Sequence, residues 1–232
     1  VRVASEMREL LRSARETVRR ARSQASPVLP SAAFEPLKGA ERSEIFYPGE
    51  ETVRVSWRTP AAGHSDLDAL AVLERLLGDP QSGLLNLHLS QAQKLKDTGA
   101  GVWQLKEAGA FLIDASPKAG QSLEQAEALV MAEVKKLKAG DFTEMDILAA
   151  ITNAEVDEKR RLESDGQRVR TLVESYIAGE EWRHNAEGLG RLRRVTKADL
   201  VRVARAYLGD DRAVVYRRQG ETKNPPIEKP GF

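Results

Sequence analysis

The sequence predicts an α+β fold in which helices pack on one face of an antiparallel or mixed sheet. Thr52 to Thr59 alternates apolar and polar side chains, as a half-buried strand does. Most of the chain after Ala115 has apolar residues at helical spacing, between helix start and stop signals. Val195 to Arg217 combines both patterns, because a capped helix ends at Gly209 and a β-rich run follows. The order is strand, two helices, two strands, several helices and a strand.

The composition limits the possible classes of function. The chain has 232 residues, of which 41% are hydrophobic, enough to bury one substantial core. Because 36 Lys and Arg balance 35 Asp and Glu, no global field favours nucleic acid or anionic lipid. The absence of cysteine excludes disulfides and thiolate metal ligands. No apolar run approaches the roughly 20 residues that span a bilayer. The composition therefore predicts a globular domain with neither a nucleic-acid partner nor a membrane span.

The sequence predicts three consecutive segments. Residues 1–43 form a connecting helix, with apolar residues at helical spacing from Val3 to Ala21, and then a linker rich in proline over Ser26–Pro36. Residues 44–220 form the α+β domain, and residues 221–232 form an extended tail. The chain opens inside a helical pattern, so we expect it to be part of a longer or processed protein.

The first half of the domain contains two pairs of elements after its first strand. Pro60 and Gly63 end that strand. The elements that follow are helices over about residues 65–77 and 84–96, then strands over about residues 99–106 and 110–115. The two strands are joined by Glu107-Ala-Gly109, which predicts a hairpin.

The second half of the domain is mostly helical. A polar residue followed three positions later by Asp or Gln is typical of a capping box at a helix start. Three such pairs occur: Ser122 with Gln125, Thr143 with Asp146, and Thr196 with Asp199. They predict helices over about residues 122–139, 143–162 and 196–208, with further helical segments at 165–178 and 185–194.

Four blocks in this order resemble one domain of the pitrilysin/insulinase-type zinc metallopeptidases. The blocks are Val53–His64 with the helix after it, Ser82–Leu85, Gly109–Pro117 with Gly120–Gln125, and Leu137–Glu144 with the terminal helix and strand. They span about residues 45–220, and their shared order and spacing carry the resemblance. The resemblance implies one of several repeated domains that are joined by linkers and enclose a peptide between two halves.

Zinc in that family is bound by an inverted His-x-x-Glu-His motif and a distal glutamate. The motif needs two imidazoles one helical turn apart, with a glutamate that activates the zinc-bound water. The chain has three histidines, His64, His88 and His184, and no two lie within one helical turn. His184 is followed by Glu187, but Gly188 occupies the position of the second histidine. We therefore predict no catalytic residue and no metal ligand here, and expect zinc in a partner domain.

Active members of the family often supply an arginine and a tyrosine to the peptide from the half without zinc. The resemblance aligns Gly99 with a glycine that precedes this tyrosine, which places Ala100 at the tyrosine and Gln93 at the arginine. Both functional side chains are thus absent. Lys94 or Lys96 could supply a charge instead. The candidate substrate-binding residues implied by the resemblance are Gln93, Lys94 and Lys96.

Three functions stay open at this point. The chain is a non-catalytic domain of a zinc metalloendopeptidase that packs against a zinc-bearing domain or subunit and encloses a peptide substrate. Alternatively, it is a scaffolding or partner subunit of the same ancestry with no role in proteolysis. The third alternative is an unrelated α+β binding module. The resemblance favours the periplasm, and it leaves open the peptide specificity, the oligomeric state and whether the zinc domain shares the parent chain.

Overall fold

The structure is a computed structural model that describes residues 36–178 and 186–221, together with four single positions. The four are Arg12, Ser13, Glu16 and Arg183. The chain divides into two compact units, Val1–Pro36 and Leu37–Phe232. The predicted connecting helix and linker fall almost wholly outside the described residues, as do His184 and the tail beyond residue 221.

Within the described residues of the second unit, five strands form one mixed sheet. They are β1 (Ala40–Tyr47), β2 (Thr52–Thr59), β3 (Asp97–Gln104), β4 (Gly109–Ser116) and β5 (Arg212–Gln219). Their order across the sheet is β1-β5-β2-β4-β3. β1 runs parallel to β5, and every other neighbouring pair is antiparallel. The predicted α+β class with a mixed sheet is confirmed.

Helices make up most of the remaining described chain. They are α1 (Leu67–Gly78), α2 (Leu123–Ala139), α3 (Glu144–Glu163), α4 (Asp165–Ala178), α5 (Gly188–Leu192) and α6 (Lys197–Tyr207), with a π-helical turn at Asn86–Gln91. All three predicted capping boxes form, with both reciprocal hydrogen bonds present in each. Gly140 ends α2 in the left-handed conformation, with φ of 78°. None of the described helices combines the length and apolar character that a membrane span needs.

The core lies between the sheet and the helices α1, α2 and α6. In β2, Val53, Val55 and Trp57 are buried, whereas the residues between them are only partly buried or exposed. The strand therefore has the alternation that its sequence predicts. The Trp57 indole donates a hydrogen bond to the Gly209 carbonyl 2.9 Å away, which ties β2 to the turn after α6.

The sequence pattern did not predict β1. Its residues are mostly exposed and show no apolar alternation, so the strand has no local signal. It forms because it pairs with β5, where Ala40 lies opposite Arg212. Strand structure thus begins at Ala40, before residue 44, where the sequence patterns place the start of the domain.

The helix predicted over residues 84–96 is too long. The π-helical turn ends at Gln91, and Gln93 has a φ of 56° that a continuing helix cannot accommodate. The amides of Lys94 and Leu95 both donate to the Leu89 carbonyl, which turns the chain back toward the sheet. This change of direction delivers the chain into β3.

Candidate functional site

The three candidate substrate-binding residues lie in the segment between the π-helical turn and β3. Gln93, Lys94 and Lys96 are exposed, whereas Leu95 between them is 1% exposed and anchors the segment to the core. The Lys96 amide donates to the Ser116 carbonyl 3.0 Å away, at the end of β4. The structure therefore brings the three residues together at one end of the sheet. We call residues 93–96 the contact loop.

Side chains from the segment before α2 hold the backbone of the contact loop. The Lys118 ammonium donates to the Gln93 carbonyl at 2.9 Å, and the Gln121 amide donates to the Lys94 carbonyl at 3.2 Å. Gln121 also accepts a hydrogen bond from the Lys118 backbone amide at 3.0 Å. This bracing compensates for the left-handed backbone of Gln93, which costs a residue other than glycine on the order of 1 kcal/mol.

The lysine side chains of the contact loop differ in their surroundings. The Lys96 ammonium forms an ion pair with Glu50, and that hydrogen bond holds the pKa of the Glu50 carboxyl below its ordinary value. Lys94 makes no ion pair with any residue in the described part of the chain. Lys94 is therefore the loop cation with the greater freedom to bind an added group.

The π-helical turn that precedes the contact loop is fixed by a buried carboxylate. Glu133 on α2 is 5% exposed, and its two oxygens lie 2.7 Å from His88 Nδ1 and 2.8 Å from the Lys136 ammonium. Burial alone would raise the pKa of Glu133, but the hydrogen bonds from Lys136 and His88 outweigh it and lower that pKa. The sequence offered one signal, a charged residue on the buried face of α2.

Ala100 lies on the face of the sheet that the helices cover. A Cβ atom added at Gly78, the last residue of α1, would lie 2.8 Å from the Ala100 Cβ. α1 therefore lies so close to β3 that a tyrosine ring at position 100 would not fit in this packing. Ala100, which the resemblance aligns with the tyrosine of active members, is thus a small residue at the point where α1 packs on β3.

The opposite face of the sheet carries a cross-strand group that the sequence did not single out. Arg54 on β2 donates two hydrogen bonds to the Asp114 carboxylate on β4, at 2.7 and 2.8 Å. The same guanidinium lies 5.8 Å from the centre of the Trp103 ring on β3. Trp103 is 59% exposed, so this group presents an aromatic surface to a molecule on that side.

The described histidines do not fit a catalytic zinc site. His64, before α1, accepts a hydrogen bond from the Asp66 amide at 3.1 Å, whereas His88 lies against Glu133. The described ranges, which omit His184, contain no group of three or more histidine, aspartate and glutamate residues that could hold a metal ion. No step of metal chemistry can be assigned to these residues.

The sequence matches one protein family. The model of the peptidase M16 inactive domain matches residues 9–154, which is more than half of the chain. Zinc protease PqqE from Helicobacter pylori is 28% identical over 184 residues, covering 76% of this chain and 40% of that protein. The chain therefore spans less than half the length of this relative.

Solved structures share the fold. A protease from Helicobacter pylori has a TM-score of 0.78 at 23% identity, over 84% of this chain and 48% of that one. An inactive peptidase domain from Bordetella parapertussis has a TM-score of 0.66 at 21% identity, over 78% of this chain and 96% of that one. A peptidase M16 inactive domain from Pseudomonas fluorescens has a TM-score of 0.69 at 16% identity, over 86% of this chain and 48% of that one.

These similarities agree with the blocks recognised in the sequence. The resemblance to the pitrilysin/insulinase-type peptidases is confirmed, and it is confirmed for the domain type that lacks the zinc motif. The third alternative, an unrelated binding module, is wrong. The chain belongs to the peptidase M16 inactive domain family.

Proposed function

We propose that this chain packs against a zinc-bearing M16 domain and forms the inactive half of a chamber that encloses a peptide. One observation carries the proposal. The chain covers 48% of the Helicobacter pylori protease but 96% of the separate Bordetella parapertussis inactive domain, so it corresponds to one half of a longer relative. The relative PqqE is named a zinc protease, which supports zinc in the other half. That half belongs to the same parent chain or to a separate subunit.

In this proposal the contact loop binds the peptide from the inactive half. Gln93 offers an amide, and Lys94 and Lys96 offer ammonium groups, which suit the carbonyls and carboxylates of an extended peptide. Their backbone is braced by Lys118 and Gln121, so binding requires ordering of the side chains but little further ordering of the backbone. Exposure of all three side chains supports the same role.

A specific observation favours a second candidate function. Gln93 and Ala100 replace the arginine and tyrosine of active members, and Ala100 is packed against Gly78 rather than exposed to a ligand. A scaffolding subunit would keep the fold and its partner but need no peptide contact. In that case the contact loop would be solvent-exposed surface that binds no peptide.

Charge reversal in the contact loop separates the two functions. The native complex would be purified through a tag on this chain, and cleavage of an unstructured peptide measured. We predict that Lys94→Glu with Lys96→Glu raises KM about fivefold and leaves kcat within about twofold, because uniform binding is lost. Lys135→Glu, on the exposed side of α2, is the matched control and leaves both constants unchanged. An unchanged KM in the double variant would favour the scaffold.

A further inference from the structure

The backbone of the contact loop has no amide left for a ligand. Each of its four amides donates to a carbonyl of the chain at between 2.8 and 3.1 Å: Gln93 to Ser90, Lys94 and Leu95 to Leu89, and Lys96 to Ser116. A peptide that adds to a sheet as a new strand exchanges main-chain hydrogen bonds with it in both directions. Because all four amides already have acceptors, such a peptide would receive no hydrogen bond from this backbone.

The carbonyls at the start of the loop are occupied as well. Lys118 and Gln121 donate to the carbonyls of Gln93 and Lys94. Gln93 also has a φ of 56°, which lies outside the extended region that a strand needs. A ligand of this loop is therefore bound through side chains rather than by main-chain pairing.

The side chains that remain for a ligand act mainly as donors. Lys94 and Lys96 end in ammonium groups, each of which donates up to three hydrogen bonds and accepts none. The Gln93 side-chain nitrogen lies 3.4 Å from the Ser90 carbonyl oxygen, so that group is only weakly engaged. A hydrogen bond to a charged acceptor is roughly twice as strong as one to a neutral acceptor. A carboxylate therefore suits these ammonium groups better than a peptide carbonyl does.

The charges around the loop leave room for one more carboxylate. Lys96 pairs with Glu50, but the two side chains are 54% and 67% exposed, and an exposed pair is readily exchanged. Lys94 makes no ion pair with the described residues, and the ammonium group of Lys118 adds a third positive charge. Against these three cations are the carboxylates of Glu50 and of Asp97, which is exposed at the start of β3. The loop thus has an excess of positive charge.

We propose that the contact loop selects peptides that present a carboxylate, either from an aspartate or glutamate side chain or from a free C-terminus. The inference rests on the proposed function, in which this loop contacts the peptide, and it names the class of substrate. The carboxylate accepts hydrogen bonds from Lys94 and replaces Glu50 at Lys96. A peptide that carries no carboxylate forms only the weaker bonds to neutral acceptors.

The first test measures binding by the full chain without any partner. The probes are three acetylated nine-residue peptides of alternating serine and alanine. One is amidated with a central aspartate, one is amidated with a central asparagine, and one has the asparagine and a free C-terminal carboxylate. NMR would follow residues 93–96 of the isotopically labelled chain during each titration.

We expect a peptide with a carboxylate to bind about fivefold more tightly than the neutral peptide at low salt. The difference should disappear at about 0.5 M salt, where exposed charges are screened. A preference for the aspartate peptide identifies a side-chain carboxylate as the ligand, and a preference for the free acid identifies the C-terminus. Equal dissociation constants for all three peptides, or unchanged shifts at residues 93–96, would overturn the inference.

Neutral variants test whether the two lysines cause the preference. In the double variant Lys94→Gln, Lys96→Gln, the fivefold difference should vanish, because amide groups do not supply the positive charge. The neutral peptide should keep its dissociation constant. Lys135→Gln, on the exposed side of α2, is the matched control and should keep the full preference. If the double variant also keeps it, the carboxylate is bound elsewhere and the inference is wrong.

The outcomes separate this inference from the proposed function. If the native complex cleaves the neutral and the carboxylate-bearing peptides with the same KM, the inference is wrong and the proposed function stands. If the chain alone prefers a carboxylate but no zinc-bearing polypeptide copurifies with it, the proposed function fails and the selectivity of the loop stands.

Discussion

Glu127 is the residue that joins the sheet edge to α2. It is 6% exposed and accepts hydrogen bonds from Arg42 at 2.7 and 3.1 Å and from the Tyr216 hydroxyl. Arg212 lies 3.5 Å away. We predict that Glu127→Ala lowers the free energy of unfolding by about 2–4 kcal/mol, because it leaves partly buried cations without their acceptor. Urea unfolding followed by circular dichroism measures the change.

The control for this prediction lies one helical turn earlier. Glu124 pairs with Arg218 at 2.7 Å, but the Glu124 side chain is 54% exposed, and Arg218 keeps Glu44 as a second partner. Glu124→Ala should therefore leave the unfolding free energy nearly unchanged. If both variants lost the same unfolding free energy, the burial of Glu127 would make no difference to stability, and the prediction would be wrong.

Buried carboxylates, among them Glu127 and Glu133, give the fold an acid-sensitive stability. Burial alone would raise the pKa of Glu127, but hydrogen bonds from Arg42 and Tyr216 outweigh it, and the pKa of Glu127, like that of Glu133, lies below its ordinary value. Each group therefore stabilises the fold fully above the pKa of the unfolded chain, and this contribution is lost as pH falls through the folded pKa. We predict a fall in the urea midpoint between about pH 5 and pH 3. The urea midpoint of the double variant Glu127→Gln, Glu133→Gln should depend less on pH. An unchanged pH dependence would contradict the role given to these two carboxylates.

At the scale of single residues, the sequence predicted exposure better than backbone shape. The charges of Lys94 and Lys96 indicate surface positions, and both are exposed. The left-handed backbone of Gln93 was not predictable, because it depends on Lys118, which lies 25 positions further along the chain. Whether these residues bind a peptide stays a prediction.

At the scale of elements, the packing of α1 on β3 depends on a glycine. A Cβ atom at Gly78 would lie 2.7 Å from the Ala100 backbone nitrogen. We predict that Gly78→Ala destabilises the fold by about 1–3 kcal/mol through overpacking. Gly190→Ala is the matched control, because Gly190 is helical and faces open space. Thermal unfolding compares the two, and a tolerated Gly78→Ala would contradict the close packing.

Local signals explain which elements the sequence predicted. The capping boxes at Ser122, Thr143 and Thr196 need only residues three positions apart, and all three form. β1 has no such signal, because its place in the sheet depends on β5, about 170 residues away. The π-helical turn at Asn86–Gln91 was likewise missed, since the residue that fixes it, Glu133, belongs to α2. Long-range contacts therefore account for both errors.

At the scale of the whole molecule, the order of blocks was more informative than any single motif. The family was recognised from blocks that are each common, because their sequence and spacing together describe one topology. The absence of the zinc motif could also be inferred from the sequence, because two of the zinc ligands must lie one helical turn apart. The exposure of the apolar residues of α4 could not be predicted, since they have the same spacing as the residues of a core helix.

The central claim is that this chain needs a zinc-bearing partner for any proteolysis. The most direct test is cleavage of an unstructured peptide by the purified chain alone, with zinc quantified in the same sample, and again after the partner is added. We predict neither zinc nor cleavage in the isolated chain, and cleavage that a chelator abolishes once the partner is present. Stoichiometric zinc with chelator-sensitive cleavage by the isolated chain would contradict the claim.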